Sequence, residues 1–222
     1  MRRCVFMFET THLSREVYCS WMKKQQISKS FPLLLVTFLA LAAVTALAAV
    51  REVSLVEQFI FEAVYELTAP VLLLMQVVTQ LGGLPMLLLS GLVAFAAGRR
   101  NLAAQLWLAG GFAFAVSMIL KSIISRPRPF ELLQSVTQHD LLATGFGYPS
   151  GHTAIAVSLT VILYQVFPKQ YRWILIALAV LVGLSRMSLG VHAPLDVVGG
   201  ALIGLLSAQL VLKEFPGLKN KS

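Results

Sequence analysis

The chain has 222 residues, of which 57% are hydrophobic and 13% charged, and its formal net charge is +8. Soluble domains carry about 25% charged residues, so this composition, with a mean hydropathy of +0.78, argues for a polytopic membrane protein. The positive residues fall mostly in short segments between apolar runs, so membrane topology explains them better than a nucleic-acid partner does.

Residues 1–30 read as a cytoplasmic N-terminal tail. Met22-Lys23-Lys24 before an apolar run looks like a second start, which makes residues 1–21 a candidate extension. Cys4 and Cys19 lie in this tail. They are too few for a disulfide framework, and no Cys/His spacing suggests a zinc site. The first apolar stretch runs from about Phe31 to Val50. It is longer than the 7–15 residues of a signal-peptide core, which favours a retained helix over a cleaved one at Ala46-Leu47-Ala48. Residues 52–68 alternate Glu52, Glu62 and Glu66 with Phe59, Ile60, Ala63, Val64 and Leu67 at helical spacing. That pattern predicts an amphipathic helix lying in the interface, which the apolar run Val71–Val78 would continue into the membrane.

Five further stretches approach the ~20 residues that cross a bilayer. They cover about Leu81–Ala97, Leu102–Ile124, Pro149–Phe167, Trp173–Leu189 and Pro194–Leu212. The expected fold is all-α: a membrane bundle of about six transmembrane helices plus the interfacial helix. The membrane-embedded domain spans 31–212 and residues 213–222 form a cytoplasmic tail. With the N-terminus inside, the inner segments hold Arg2, Arg3, Arg15, Lys23, Lys24, Lys29, Arg99, Arg100, Lys169, Arg172, Lys213, Lys219 and Lys221. The outer segments keep Arg51, Lys121, Arg126, Arg128 and Arg186. This asymmetry sets the orientation.

Three polar clusters sit where membrane helices normally avoid charge: Lys121 to Pro129, Pro149-Ser150-Gly151-His152, and Ser185-Arg186 through His192 to Asp196. Ionisable residues at membrane depth are costly and usually functional. The topology brings all three to the outer face. Lys121, Arg128 and Arg186 would supply positive charge and N–H donors that match phosphate oxygens. Ser150 and Gly151 would open a helix whose N-terminus favours an anion. Of the two histidines, one can attack phosphorus and the other protonate the leaving oxygen. Asp196, four residues after His192, can fix its tautomer and so make it the nucleophile, leaving the acid role to His152. Nothing in this arrangement requires a metal.

The clusters resemble the signature of the type 2 phosphatidic acid phosphatase family, whose wider superfamily includes vanadium haloperoxidases. The pattern K-x6-R-P, P-S-G-H, S-R-x5-H-x3-D is met at all 11 fixed positions: Lys121, Arg128, Pro129, Pro149, Ser150, Gly151, His152, Ser185, Arg186, His192 and Asp196. The resemblance implies a metal-independent lipid phosphatase with no cofactor. His192 would be transiently phosphorylated, Asp196 would orient it, and His152 would protonate the leaving group. Lys121, Arg128, Ser150, Gly151 and Arg186 would hold the phosphoryl oxygens.

The expected substrates are undecaprenyl diphosphate, phosphatidylglycerophosphate or phosphatidic acid, and the expected location a bacterial inner (plasma) membrane with the site facing the periplasm or outside. Two other functions compete: phosphotransfer to an alcohol acceptor, and non-enzymatic binding or transport of an anionic lipid. The partners are the bilayer and a lipid phosphate, with no nucleic acid. Arg126 lies outside the fixed positions and is expected to add field or to contact headgroups. His139 and Asp140 lie in the loop before Gly145-Phe146-Gly147-Tyr148, where a histidine reads as solvated rather than catalytic.

Overall fold

The computed structural model describes residues 32–140 and 142–215, so the expectations for most of the N-terminal tail and for the last residues of the C-terminal tail lie outside it. The chain divides into a unit ending at Val36 and a second unit from Thr37 onward. Of the first, the described residues 32–36 form the start of a helix. The second unit holds every relationship discussed below.

Every regular element among the described residues is helical. They are α1 (Pro32–Ala48), then α2 (Leu55–Thr68), α3 (Leu72–Val78), α4 (Leu84–Ala96), α5 (Arg100–Ile124) and the single turn α6 (Pro129–Leu132). The chain closes with α7 (Gly151–Tyr164), α8 (Arg172–Ser188) and α9 (Pro194–Glu214). Local chemistry sets the boundaries near the polar clusters. Helix α5 stops at Ser125, which adopts a left-handed φ of 51°, and the Pro127 and Pro129 rings that follow are incompatible with a continuing helix. Helix α7 begins at Ser150, whose Oγ accepts from the Thr153 amide at 3.4 Å, the usual way to satisfy an orphan donor. In α9, Pro194 occupies the first turn, and Asp196 Oδ2 accepts the Ala193 amide at 2.8 Å. A carboxylate there also suits the helix dipole.

Helices α5, α7 and α9 form the centre, α4 packs on α5, and α8 packs on α7. The core joins Leu87, Leu102, Leu106, Ile155, Leu159 and Ile162 with Ala208 and Val211. The α7–α9 contact depends on Gly200, where a side chain would strike the Ser150 carbonyl; small residues let membrane helices approach this closely. The outside of the bundle is apolar. Leu88, Leu89, Leu92 and Val93 on α4, Ile119 and Ile123 on α5, and Trp173, Ile176 and Val180 on α8 are all exposed. A belt this large does not face water in a stable protein, and it fits lipid.

Four helical runs are long and apolar enough to cross a membrane: Leu55–Gly82, Arg100–Leu132, Lys169–Ser188 and Pro194–Glu214. Helices α1, α4 and α7 are apolar but shorter, so the predicted spans at those places are truncated at their ends. The first of the four long runs is the segment expected to lie in the interface. Its contacts decide its course. Glu57 accepts the Leu195 amide at 3.2 Å, Thr68 donates to Ser188 at 2.7 Å, and Thr79 accepts from Arg186 at 2.8 Å. A straight 28-residue helix would separate its ends by ~42 Å. Here the beginning, middle and end of the run all bond to the end of α8 or the start of α9, so it lies along that end of the bundle. The break at Ala69-Pro70, where a single 3₁₀ turn joins α2 to α3, allows that course.

Candidate active site

The three sequence clusters meet at this end of the bundle. Lys121, in the last turn of α5, donates to the carbonyls of Phe146 at 2.6 Å and Gly147 at 3.0 Å. Arg128 donates from Nε to Gly145 O at 2.7 Å, from Nη2 to Thr144 O at 2.8 Å, and from Nη1 to Val191 O at 3.0 Å. These two cations therefore brace the 144–147 segment, and Arg128 ties that segment to the residue before His192. Both retain further N–H donors beyond these bonds.

Arg186, in the last turn of α8, is buried. Its Nη1 donates to Thr79 Oγ1 at 2.8 Å and lies 2.9 Å from Asp140 Oδ2. Its Nε, also buried, has no partner. Thr79 and Asp140 were not legible as site residues. Thr79 sits in a short 3₁₀ turn (Thr79–Gly82) within an apolar run, and Asp140 lies in a loop whose position depends on distant contacts. Its neighbour His139 is not solvated as expected. The His139 amide donates to Leu189 O at 3.0 Å, its carbonyl accepts from Gln76 at 3.2 Å, and its ring is 3.1 Å from the Tyr65 hydroxyl. The amphipathic run thus captures the loop.

Ser150 is fully buried, and its Oγ also accepts from the Thr153 hydroxyl at 2.9 Å. Gly151 and His152 follow in the first turn of α7. Gly82 permits the approach of the amphipathic run, because any side chain there would collide with the His152 carbonyl. The charged neighbours of the His152 ring are Arg186, Asp140, Lys121 and Arg128.

His192 sits in the turn between α8 and α9 and is nearly inaccessible. Its Nδ1 is 3.5 Å from Asp196 Oδ2, and makes no hydrogen bond at that distance. The expected pairing is present as a loose ion-pair geometry, longer than the 2.7–3.2 Å of a formed bond. Catalytic hydrogen bonds often tighten only when substrate is bound. Burial pushes the imidazole well below its usual 6.5, and the nearby Lys121, Arg128 and Arg186 cations push the same way. Both influences favour the neutral form of His192.

Asp196 is fully buried. Besides the Ala193 amide it accepts from Arg126 Nη1 at 3.0 Å. Arg126 is itself fully buried, with Nη2 on Glu57 Oε2 at 2.8 Å and on Glu52 O at 2.6 Å. Its burial keeps it from headgroups, so of the two roles expected of it only the added field fits: two carboxylates hold it inside the protein. Glu57 also went unread as a site residue, although Ser54 and Glu57 form a capping box, a pattern visible in the sequence. Among the described residues no cluster of His, Cys, Asp and Glu has the makings of a metal site.

A family model described as the PAP2 superfamily matches residues 102–218, just over half of the chain. The chain belongs to the PAP2 superfamily. Among PAP2 relatives, it is 38% identical over 110 residues to the bacitracin transport permease protein BcrC of Bacillus licheniformis, covering 48% of this chain and 54% of that one. It is 38% identical over 97 residues to the undecaprenyl-diphosphatase of Sulfolobus acidocaldarius, covering 41% and 47%. The chain thus spans about half the length of these curated relatives. In fold it resembles the crystal structure of a transmembrane PAP2 type phosphatidylglycerolphosphate phosphatase from Bacillus subtilis. The TM-score is 0.67 at 27% identity, covering 85% of this chain and 98% of that one. The PAP2 match, the apolar belt and the likeness to a transmembrane PAP2 enzyme make this an integral membrane protein.

Proposed function

We propose that this PAP2 protein hydrolyses a lipid phosphate or diphosphate through a phosphohistidine formed on His192. The observation that carries the reading is one buried, neutral histidine backed by a carboxylate and surrounded by Lys121, Arg128 and Arg186. A neutral imidazole among cations is suited to attack an anion, and poorly suited to be a simple anion-binding group.

His192 attacks phosphorus as the P–O bond to the lipid breaks, and His152 delivers a proton to the departing oxygen. Water then attacks the phosphohistidine, His152 takes its proton, and inorganic phosphate leaves. Asp196 stabilises the positive charge that develops on the His192 ring. Arg186, Lys121 and Arg128 neutralise the phosphoryl oxygens together with the Gly151 amide in the first turn of α7, the Ser150 amide being committed to the Asp196 carbonyl at 2.9 Å. No step calls for a metal.

The substrate is lipid because the site lies at the end of a bundle with an apolar exterior. An apolar groove lined by Leu81, Met86, Ala156, Leu159, Leu175 and Val182 gives a hydrocarbon tail a place beside it. The Sulfolobus relative is named for undecaprenyl diphosphate and the Bacillus structure for phosphatidylglycerolphosphate. Both substrates, with phosphatidic acid, are candidates here. The proposed topology has six spans, at α1, α4, α5, α7, α8 and α9, with α2–α3 in the interface. The site then faces the outside of the plasma membrane.

The test is phosphate release by the purified chain across a panel of lipid phosphates and diphosphates, with EDTA present and no alcohol acceptor. Release from at least one lipid supports the reading. Release only when an alcohol is added identifies a phosphotransferase, and binding without turnover identifies a carrier; either result overturns it.

A further inference from the structure

Two features are not absorbed by this mechanism: Arg126, outside the fixed motif positions, and Glu57, on the amphipathic α2. They touch each other inside the protein. Arg126 Nη2 donates to Glu57 Oε2 at 2.8 Å and Nη1 to Asp196 Oδ1 at 3.0 Å. The other oxygen of Glu57 accepts the Leu195 amide at 3.2 Å, in the same turn of α9 that carries Asp196. The arginine side chain is 0% exposed, Glu57 8% and Asp196 0%.

We propose that Glu57 and Arg126 are positioning residues for His192, acting through Asp196. Two effects act on Asp196. The first is aim. Asp196 has one oxygen on Arg126 and the other on the Ala193 amide, beside His192 Nδ1. Holding Oδ1 on a fixed guanidinium sets the rotation of the carboxylate, so Oδ2 stays directed at the imidazole. Arg126 is fixed in turn from its far side by Glu57 and by the Glu52 carbonyl.

The second is charge. A buried carboxylate without a partner is strongly disfavoured, and one matched by a single cation loses much of its pull on a developing imidazolium. Here one cation is shared between two carboxylates. The guanidinium is divided between two carboxyl groups, so it does not match Asp196 alone, and Asp196 keeps the capacity to stabilise a positive His192. The same contacts make α2 part of the catalytic apparatus, because its first turn anchors the chain of bonds that ends at the nucleophile.

The inference rests on the reading of His192 as nucleophile, and the experiment separates the two. The full-length chain is purified in detergent as Arg126→Met, Arg126→Lys, Glu57→Gln and Glu57→Gln/Arg126→Met. Each is assayed for kcat, KM and inhibition by inorganic phosphate, with His192→Ala as a control. Arg126→Met is expected to lower kcat about 10- to 100-fold, the loss of one charge-assisted hydrogen bond. Glu57→Gln should lower it less. KM and the phosphate inhibition constant should stay within about twofold, because neither side chain reaches the phosphate. Arg126→Lys should recover part of the rate, and the double variant should fall short of the product of the single effects.

Wild-type kcat in Glu57→Gln and Arg126→Lys, or a parallel weakening of phosphate inhibition, overturns the inference. If Arg126→Met does not fold, those two variants decide the matter alone. Retained turnover by His192→Ala removes the underlying mechanism instead, whatever the other variants do.

Discussion

Asp140 places a carboxylate oxygen 2.9 Å from Nη1 of Arg186, on the same nitrogen that donates to Thr79. An acid thus holds the arginine assigned to phosphate, from a loop that the α2–α3 run secures through Tyr65 and Gln76. Substrate must share Arg186 with this carboxylate or displace it. Asp140→Asn removes the competing charge while keeping the shape. Inhibition by inorganic phosphate is expected to strengthen by about two- to tenfold, the range for a partly exposed ion pair. Weaker inhibition in the variant would mean that Asp140 holds Arg186 ready for phosphate instead of competing for it.

His192→Ala removes the proposed nucleophile. Phosphate release should fall by ~10³-fold or more, with the protein still inserted and folded by thermal melt in detergent. The radiolabelled enzyme intermediate seen after rapid quenching of wild type should be absent. Undiminished hydrolysis by this variant would end the phosphohistidine mechanism.

The acid limb of the rate profile should respond to Lys121. Burial, and then the cations around it, hold the His192 imidazole well below 6.5, so the active neutral form persists into acid. Removing one cation relieves the repulsion felt by the imidazolium and raises the pKa towards 6.5. In Lys121→Met the acid limb of kcat/KM should therefore move to higher pH, besides a fall in the plateau. A limb that stays in place, or moves to lower pH, would show that His192 is not the group being titrated.

The acid role of His152 predicts dependence on the leaving group. His152→Ala should cost ~10²–10⁴-fold on a lipid alkyl phosphate. On an aryl phosphate with an acidic phenol the loss should be much smaller, since that oxygen departs without a proton. Equal losses on both substrates would assign His152 to binding.

Orientation is read by labelling. Thr137 is exposed and lies in the loop that carries Asp140. With Cys4 and Cys19 replaced, Thr137→Cys should react with an impermeant thiol reagent added to intact cells. Reaction only after the membrane is opened would reverse the proposed topology.

The local geometry within each motif was legible in the sequence because the motifs lie at helix ends and short turns, where spacing along the chain fixes spacing in space. Ser150 caps α7, and His192 and Asp196 bracket the first turn of α9. Their local geometry follows from residues within four positions of each other. The apolar runs were equally readable, because lipid selects side chains by type. Their ends were not: α4 and α7 are shorter than the runs that announced them.

What the sequence determined alone is the membrane setting, the helical class and the set of polar motif residues that gather at one end of the bundle. Only the tertiary structure showed that Arg126 is shared between Glu57 and Asp196, that Asp140 lies on Arg186, and that His139 is bound by Tyr65. Those partners are separated by 69, 70 and 74 positions for Arg126–Glu57, Arg126–Asp196 and Tyr65–His139. No local periodicity encodes contacts at that separation. A buried charge must find a countercharge, but which one it finds depends on how the α2–α3 run folds back over the end of the bundle.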